Sequence, residues 1–123
     1  MARRTAVTQG EDGQTVTLQG VTATDGDYFD NQQSEVKLLL HNDHATDDST
    51  FTVHANGTTS VDVPEYGTLT KEDVDITVPA GEYRYAGPFP GLAYNGDTGA
   101  GNANAHGLLI TATGGTPELA GVI

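Results

Sequence analysis

The chain has 123 residues, enough to bury the core of one domain but not of two. It lacks cysteine, which excludes disulfides, thiolate metal sites and a cysteine nucleophile. Its 17 acidic residues outnumber 5 Lys and Arg, for a formal net charge of -12, and so acidic a surface repels nucleic acid. Its apolar runs, such as residues 38–40, are far shorter than the roughly 20 residues of a membrane helix, so we expect no membrane partner either.

The N-terminal residues 1–14 are predicted as an arm that precedes a single domain at 15–123. Arg3 and Arg4 lie in this arm and are candidate contacts to an acidic partner surface. No apolar segment follows the two arginines, so we expect no secretory signal. A chain of this kind is used inside the cell or leaves it within a larger assembly.

The first predicted strand covers 15–18, where polar and apolar side chains alternate. Val21 and Ala23 continue the alternation after Gly20, which indicates a bend in that strand. The following segment, 24–31, is rich in Asp, Gly and Asn, and this composition predicts a loop with turns.

The clearest strand is predicted at 35–41, with Val36, Leu38 and Leu40 on one face by the period of two. So apolar a strand belongs in the middle of a sheet. The polar segment 41–49 that follows is predicted as a loop.

A second alternating strand is predicted at 50–55, and the Asn-Gly dipeptide at 56–57 indicates a tight turn after it. A three-residue loop with glycine in the left-handed conformation keeps the apolar residues of both strands on one face. This hairpin would pair Val53 with Val61 and Phe51 with Val63.

The remaining segments alternate between strand and turn patterns. Strands are predicted at 73–78, 82–86 and 106–113, a loop at 64–73, an apolar tail at 119–123, and a flexible loop of small polar residues at 95–107. Helical periodicity is nearly absent. The sequence therefore predicts an all-β fold: a single antiparallel β-sandwich, Ig-like or jelly-roll-like, or a small barrel, with about seven short strands.

The histidine-rich segment carries six side chains that could ligate a transition metal, with His41, His44 and Asp47 as the candidates and Asp43, Asp48 and His54 beside them. Their spacing is not that of a helical metal motif, and a solvated loop explains them better. Asp25, Asp27 and Asp30 could ligate calcium, but Asp is also common in turns. We therefore expect no metal and no cofactor.

Patterns of nucleophilic catalysis are also missing from the sequence. We find no serine elbow and no phosphate-binding glycine loop, and Ser34, Ser49 and Ser60 lie in strand or turn contexts. We therefore expect a protein that is not an enzyme. Asn56 begins an Asn-Gly-Thr glycosylation acceptor on a predicted turn, a pattern that often arises by chance.

The densest cluster of Pro, Gly and aromatic residues lies in 75–95. Its centre, Gly87, Pro88, Phe89 and Pro90, cannot form regular structure and predicts a rigid corner. A phenylalanine held between two prolines loses little entropy on burial, so it can anchor the edge of the sandwich or a neighbouring subunit.

Five short segments follow one another within residues 24–95: DGDYFDN, KLLLHN, ITVPAG, GPFP and YN, of which VPAG and GPFP…YN are the most specific. Their order resembles that of small virion structural proteins of tailed viruses, described as minor capsid or head decoration proteins. The chain departs from that pattern at 56–73 and at 95–107, which are longer, so contacts made there do not carry over.

The resemblance implies an all-β protein without enzymatic activity that decorates or cements an icosahedral capsid. Its expected partners are the major capsid protein and copies of itself, as trimers or as shell-bound monomers on a repeating lattice, and its expected location is the virion after assembly in the host cytoplasm. The matching residues at the corner and after it are Gly87, Pro88, Phe89, Pro90, Tyr94 and Asn95, with Ala80 and Gly81 at the preceding turn. They look structural.

Two other functions fit the sequence. One is a carbohydrate- or surface-binding β-sandwich module, in which exposed tyrosines would stack on a ligand. Such a module would expose several aromatic side chains on one face, whereas the capsid protein would bury Phe89. The candidate tyrosines are Tyr28, Tyr66, Tyr83, Tyr85 and Tyr94. The other is a tail or head-to-tail connector subunit of a virion.

The excess of Asp over Lys suits a protein that works in concentrated salt, where the Debye length is about 3 Å and self-repulsion is screened. We therefore expect a halophilic origin, with a generic acidic domain as the alternative.

Overall fold

A computed structural model describes residues 2–8, 15–22, 26–55, 60–96 and 106–123 of the chain. Strands dominate it, and its one described helix is a single turn. In chain order the elements are β1 (Ala2–Arg4), β2 (Gln19–Gly20), β3 (Asp27–Asp30), β4 (Lys37–Asn42), β5 (Ser49–Val53), β6 (Ser60–Val63), β7 (Gly67–Thr70), β8 (Val74–Val78), β9 (Tyr83–Ala86), α1 (Gly91–Tyr94), β10 (Asn95–Gly96), β11 (Gly107–Thr113) and β12 (Pro117–Val122).

Two packed sheets form a sandwich, not a closed barrel. The first has the strand order β1-β3-β11-β5-β8, with β10 also paired to β11, and the second has the order β2-β12-β4-β9. A separate ribbon contains β6 and β7. The described strand pairs are antiparallel except β1 with β3, which are parallel. The prediction of an all-β sandwich is confirmed.

The core fills the space between the two sheets. Its buried apolar side chains are Phe29, Val36, Leu38, Leu40, Phe51, Val53, Val78, Phe89, Tyr94, Leu108, Ile110 and Leu119. Both sheets contribute, because each strand presents alternate residues to the inside. The strongest strand prediction is confirmed: β4 is paired on both sides, by β12 and β9, and Val36, Leu38 and Leu40 are all buried.

Four further predicted strands are confirmed at about their predicted positions. The predicted strands at 50–55, 73–78, 82–86 and 106–113 correspond to β5, β8, β9 and β11. Phe51 and Val53 are fully buried, as the alternation predicts.

The predicted hairpin after β5 is wrong. Phe51 lies opposite Ile76 on β8 and Ala112 on β11, and Val53 lies opposite Val74 and Ile110. β6 pairs with β7 instead. β7 lies inside the segment 64–73, which was predicted as a loop. β5 is thus a central strand whose neighbours lie far away in the sequence, and a local turn cannot reveal such partners. The dipeptide at 56–57 and the sequon at Asn56 lie outside the described residues.

The predicted loop at 24–31 is also wrong, because 27–30 form β3 between β1 and β11. The turn-favouring Asp27 is completely buried there. It is tolerated because hydrogen bonds from Arg4 and Thr22 satisfy its carboxylate.

The predicted strand at 15–18 is wrong: these residues are not in a strand, and β2 covers only the next two residues, Gln19 and Gly20. The edge of β12 beyond Leu119 is occupied by Val7, whose amide donates to the Gly121 carbonyl and whose carbonyl accepts from the Ile123 amide. The predicted apolar tail at 119–123 is mostly the central strand β12.

Part of the predicted N-terminal arm belongs to the sandwich. Ala2–Arg4 are β1, and Val7 bridges Val122. The predicted flexible loop at 95–107 begins with β10 and ends with the first residue of β11. Its middle, 97–105, and residues 9–14 of the arm lie outside the described residues. No described helix is long and apolar enough to cross a membrane.

Candidate functional site

The corner at 87–90 follows β9 and is irregular, as predicted. The Gly87–Pro88 peptide is cis, and Gly87 has φ +100°, a conformation that favours glycine. Phe89 is only 6% exposed and meets the Tyr94 ring edge-on, with ring centroids 5.4 Å apart. Phe89 therefore anchors the core of its own chain.

Two buried asparagines hold this corner against the end of β3. The Asn31 amide nitrogen donates to the Phe89 carbonyl at 3.0 Å and to the Asn95 side-chain oxygen at 2.9 Å. The Asn95 amide nitrogen donates back to the Asn31 carbonyl at 2.8 Å. The Asn31 side-chain oxygen accepts from the Val36 amide. In both asparagines, the side-chain nitrogen and the side-chain oxygen therefore each make a hydrogen bond.

Asn42 plays the same part at the other end of β4. Its side-chain nitrogen donates to the carbonyls of Asp47 and Val78, and its side-chain oxygen accepts from the amides of His44 and Thr116. One side chain thereby joins the loop after β4, the end of β8 and the start of β12. The asparagines that close the DGDYFDN, KLLLHN and YN segments are thus all buried structural residues.

The two candidate arginines have different environments. The Arg4 side chain is 11% exposed, and its guanidinium lies 2.8 Å from the Asp27 carboxylate and also donates to the Gly20 carbonyl. The Arg3 side chain is 65% exposed and lies 3.7 Å from Asp30. Arg4 is therefore part of the fold, and Arg3 is the one that a partner can reach.

The Asp27 carboxylate has a pKa below its ordinary value. Its burial by itself would raise the pKa, but hydrogen bonds from the Thr22 hydroxyl and amide and from Arg4, together with the positive charge of Arg4, outweigh that effect. Asp27 therefore stays ionised inside the fold. Of the calcium candidates, Asp27 and Asp30 face the two arginines, and Asp25 lies outside the described residues.

The metal candidates His41, His44 and Asp47 do not form one cluster. His44 Nδ1 accepts hydrogen bonds from the amides of Thr46 and Asp47, so it closes its own loop. Among the described residues, the group whose ligand atoms lie within 4.8 Å of one another is His41, Asp43 and Glu118. Sequence reasoning missed Glu118, because only the pairing of β12 with β4 brings it opposite His41.

The tyrosines divide into buried and exposed ones. Tyr28 and Tyr94 are buried, whereas Tyr66, Tyr83 and Tyr85 are exposed. Tyr83 and Tyr85 belong to β9, an edge strand, and lie opposite His41 and Leu39 of β4. These four side chains share the outer face of the sheet, since Leu38 and Leu40 point into the core. We call Leu39, His41, Tyr83 and Tyr85 the β9 face.

The β9 face is the most aromatic exposed surface in the described part of the chain. Tyr83 and Tyr85 are 55% and 54% exposed, and the Tyr83 ring stacks on His41 with centroids 4.1 Å apart. The alternation of Tyr83, Arg84 and Tyr85 was the only signal of this face in the sequence, and the contribution of β4 required the strand pairing.

Comparison with known proteins gives no relative. The chain matches no protein-family model, no curated protein and no solved structure.

Proposed function

We propose that the chain is a non-enzymatic virion structural protein that decorates or cements the icosahedral capsid of a tailed virus. One observation carries the proposal: the residues on which the resemblance rests hold the sandwich together. Phe89 and Tyr94 fill the core, and Asn31, Asn42 and Asn95 satisfy backbone groups at its ends. These segments therefore have the structural role that the resemblance implies.

The β9 face is the surface that we propose for attachment to the capsid. Exposed tyrosines on a rigid strand supply contact area at low entropic cost, and they are frequent at the centres of protein interfaces. The partners in this proposal are the major capsid protein and further copies of the chain, within the virion.

The attachment test uses particles depleted of the protein and purified chain added back. We expect Tyr83→Ala combined with Tyr85→Ala to lower the occupancy of particles at least about tenfold, because centrally placed tyrosines contribute about 2 kcal/mol or more each. Tyr66→Ala is the matched control, since Tyr66 is 84% exposed but lies in the turn of the separate β6–β7 ribbon. Equal occupancy for the double variant and the control would contradict attachment through the β9 face.

The virion assignment itself is tested by the copy number of the chain in purified particles, measured by quantitative mass spectrometry against the major shell protein. A fixed simple fraction of the shell protein is expected. A few copies per particle would favour the tail or head-to-tail connector, and complete absence would contradict the proposal.

A carbohydrate- or surface-binding module is the second candidate, because Tyr83 and Tyr85 are both exposed on one face of one strand. Sugar rings stack on such aromatic platforms. Titration with soluble polysaccharides separates the two functions: saturable binding that the Tyr83→Ala, Tyr85→Ala variant loses and Tyr66→Ala keeps would favour the module.

A further inference from the structure

At one end of the β9 face, its member His41 converges with a side chain of the loop after β4 and one of β12. His41 is the penultimate residue of β4, Asp43 follows the strand, and Glu118 lies opposite His41 on β12. Their potential ligand atoms, one imidazole nitrogen and one oxygen from each carboxylate, all lie within 4.8 Å of one another.

The His41 ring nitrogen Nδ1 makes no hydrogen bond in this group. His41 is 9% exposed, and its buried Nδ1 atom makes no hydrogen bond. Glu118 Oε1 lies 3.4 Å from this nitrogen, but the two atoms do not form a hydrogen bond. A buried nitrogen without a partner is costly, and such groups call for a ligand or an ion.

We propose that His41, Asp43 and Glu118 bind one divalent transition-metal ion, with zinc as the best match. A zinc ion about 2.1 Å from each of two ligand atoms at the tetrahedral angle holds those atoms about 3.4 Å apart. This is the separation of His41 Nδ1 and Glu118 Oε1. One imidazole and two carboxylates are also a set that zinc accepts, with a fourth position left for water or a partner's ligand.

The surroundings of the group hold its ligands in place. The His41 ring lies parallel to the Tyr83 ring, with an interplanar angle of 17°, and this contact fixes the direction of Nδ1. The Asp43 amide donates to the Thr116 carbonyl at 3.0 Å, which keeps the start of the loop beside β12. Ligands positioned before the ion arrives lower the entropy cost of binding.

The test is calorimetric titration of the full chain with zinc chloride after treatment with a chelator, in excess magnesium chloride to occupy oxygen-only sites. We expect one zinc ion per chain, and Asp43→Asn and Glu118→Gln should each weaken binding at least about tenfold, since even outer-sphere partners contribute that much. Asp47→Asn is the matched control: it removes an exposed carboxylate near His44 in the same loop. It should leave the affinity unchanged.

A second measurement identifies the ligand atom in the unaltered chain. Nitrogen NMR of the four histidines should show a zinc-dependent shift at Nδ1 of His41 and smaller changes at His44, His54 and His106. No saturable zinc binding, equal affinity in Glu118→Gln, or a shift at another histidine in place of His41 would overturn the proposal. Circular dichroism of each variant shows whether a loss of binding reflects a loss of fold.

Discussion

Arg4 and Asp27 form an ion pair that is almost completely removed from solvent, and it joins β1 to β3. Removing one partner from such a pair leaves an uncompensated buried charge, which costs more than the pair itself contributes. Arg3, one position earlier, has the same charge but a mostly exposed side chain. A comparison of Arg3 with Arg4 therefore separates the effect of burying an ion pair from the effect of removing a positive charge.

We expect Arg4→Met to lower the free energy of unfolding by about 3 kcal/mol or more, because Asp27 stays buried without its cation. Arg3→Met should lower it by less than about 1 kcal/mol, as is usual for exposed pairs. Urea denaturation of the two variants measures both values. Similar losses in the two variants would show that Arg4 does not stabilise Asp27.

Acidification provides a second test of Asp27. Its pKa is lower in the folded chain than the ordinary value of 3.8, so the folded state gains stability above that pH and loses it as the pH falls toward the folded pKa. Asp27→Asn cannot gain a proton there. We expect the unfolding free energy of the unaltered chain to fall more steeply with acid than that of Asp27→Asn, and parallel curves from pH 6 to pH 2 would contradict this.

The buried side-chain amide of Asn31 donates hydrogen bonds at the corner that a carboxylate could not donate. In Asn31→Asp, a carboxylate oxygen would face the Phe89 carbonyl and the Asn95 side-chain oxygen, which now accept hydrogen bonds. We expect a loss of about 3 kcal/mol or more in urea denaturation. Gln33→Glu adds the same charge at an exposed site two residues away and should change stability by less than about 0.5 kcal/mol. A small effect of Asn31→Asp would mean that the corner does not depend on these bonds.

Among the elements, β12 lies close to the opposite sheet at Gly121. A side chain at Gly121 would overlap the ring of Phe29, which belongs to β3 in the opposite sheet. Gly121→Ala should therefore destabilise by about 1 to 3 kcal/mol. Gly20→Ala on β2, where an added carbon meets nothing within 4 Å, should not destabilise. Thermal unfolding of the two variants compares them, and an unaffected Gly121→Ala would mean that the sheets can separate without cost.

Strands could be predicted where the signal was local. The apolar alternation at Val36, Leu38 and Leu40 is sufficient to identify β4 and its buried face. The partners of Phe51 could not be predicted, since they depend on crossovers to β8 and β11 that leave no mark near β5. β3 was missed because an aspartate that favours turns also fits a strand when an arginine satisfies it.

The same limit applies to the site. The corner and its aromatic residues were visible in the sequence, because proline and glycine restrict the backbone locally. The group of His41 and Glu118 was not visible in the sequence. These two residues are far apart in the chain, and only the pairing register of β12 with β4 brings them together. Tyr83 lies beside His41 because β9 pairs with the other edge of β4.

For the whole molecule, the net charge of -12 is the dominant property. We expect molar potassium chloride to raise the unfolding temperature by about 4 °C or more, equivalent to about 1 kcal/mol of screened repulsion. The control variant combines Glu35→Gln, Asp48→Asn and Glu72→Gln, three exposed sites, and should gain less from salt. An unfolding temperature independent of salt would contradict a halophilic origin.

The position of β12 also affects when the protein can fold. This strand comes last among the described elements yet lies between β2 and β4. The second sheet therefore cannot join β2 to β4 until β12 has been synthesised. On the ribosome, the earlier strands must wait with their apolar faces open until residues 117–122 have left the exit tunnel. Folding of this domain therefore cannot be completed before β12 is available, and a nascent chain stalled before Pro117 should remain open to protease.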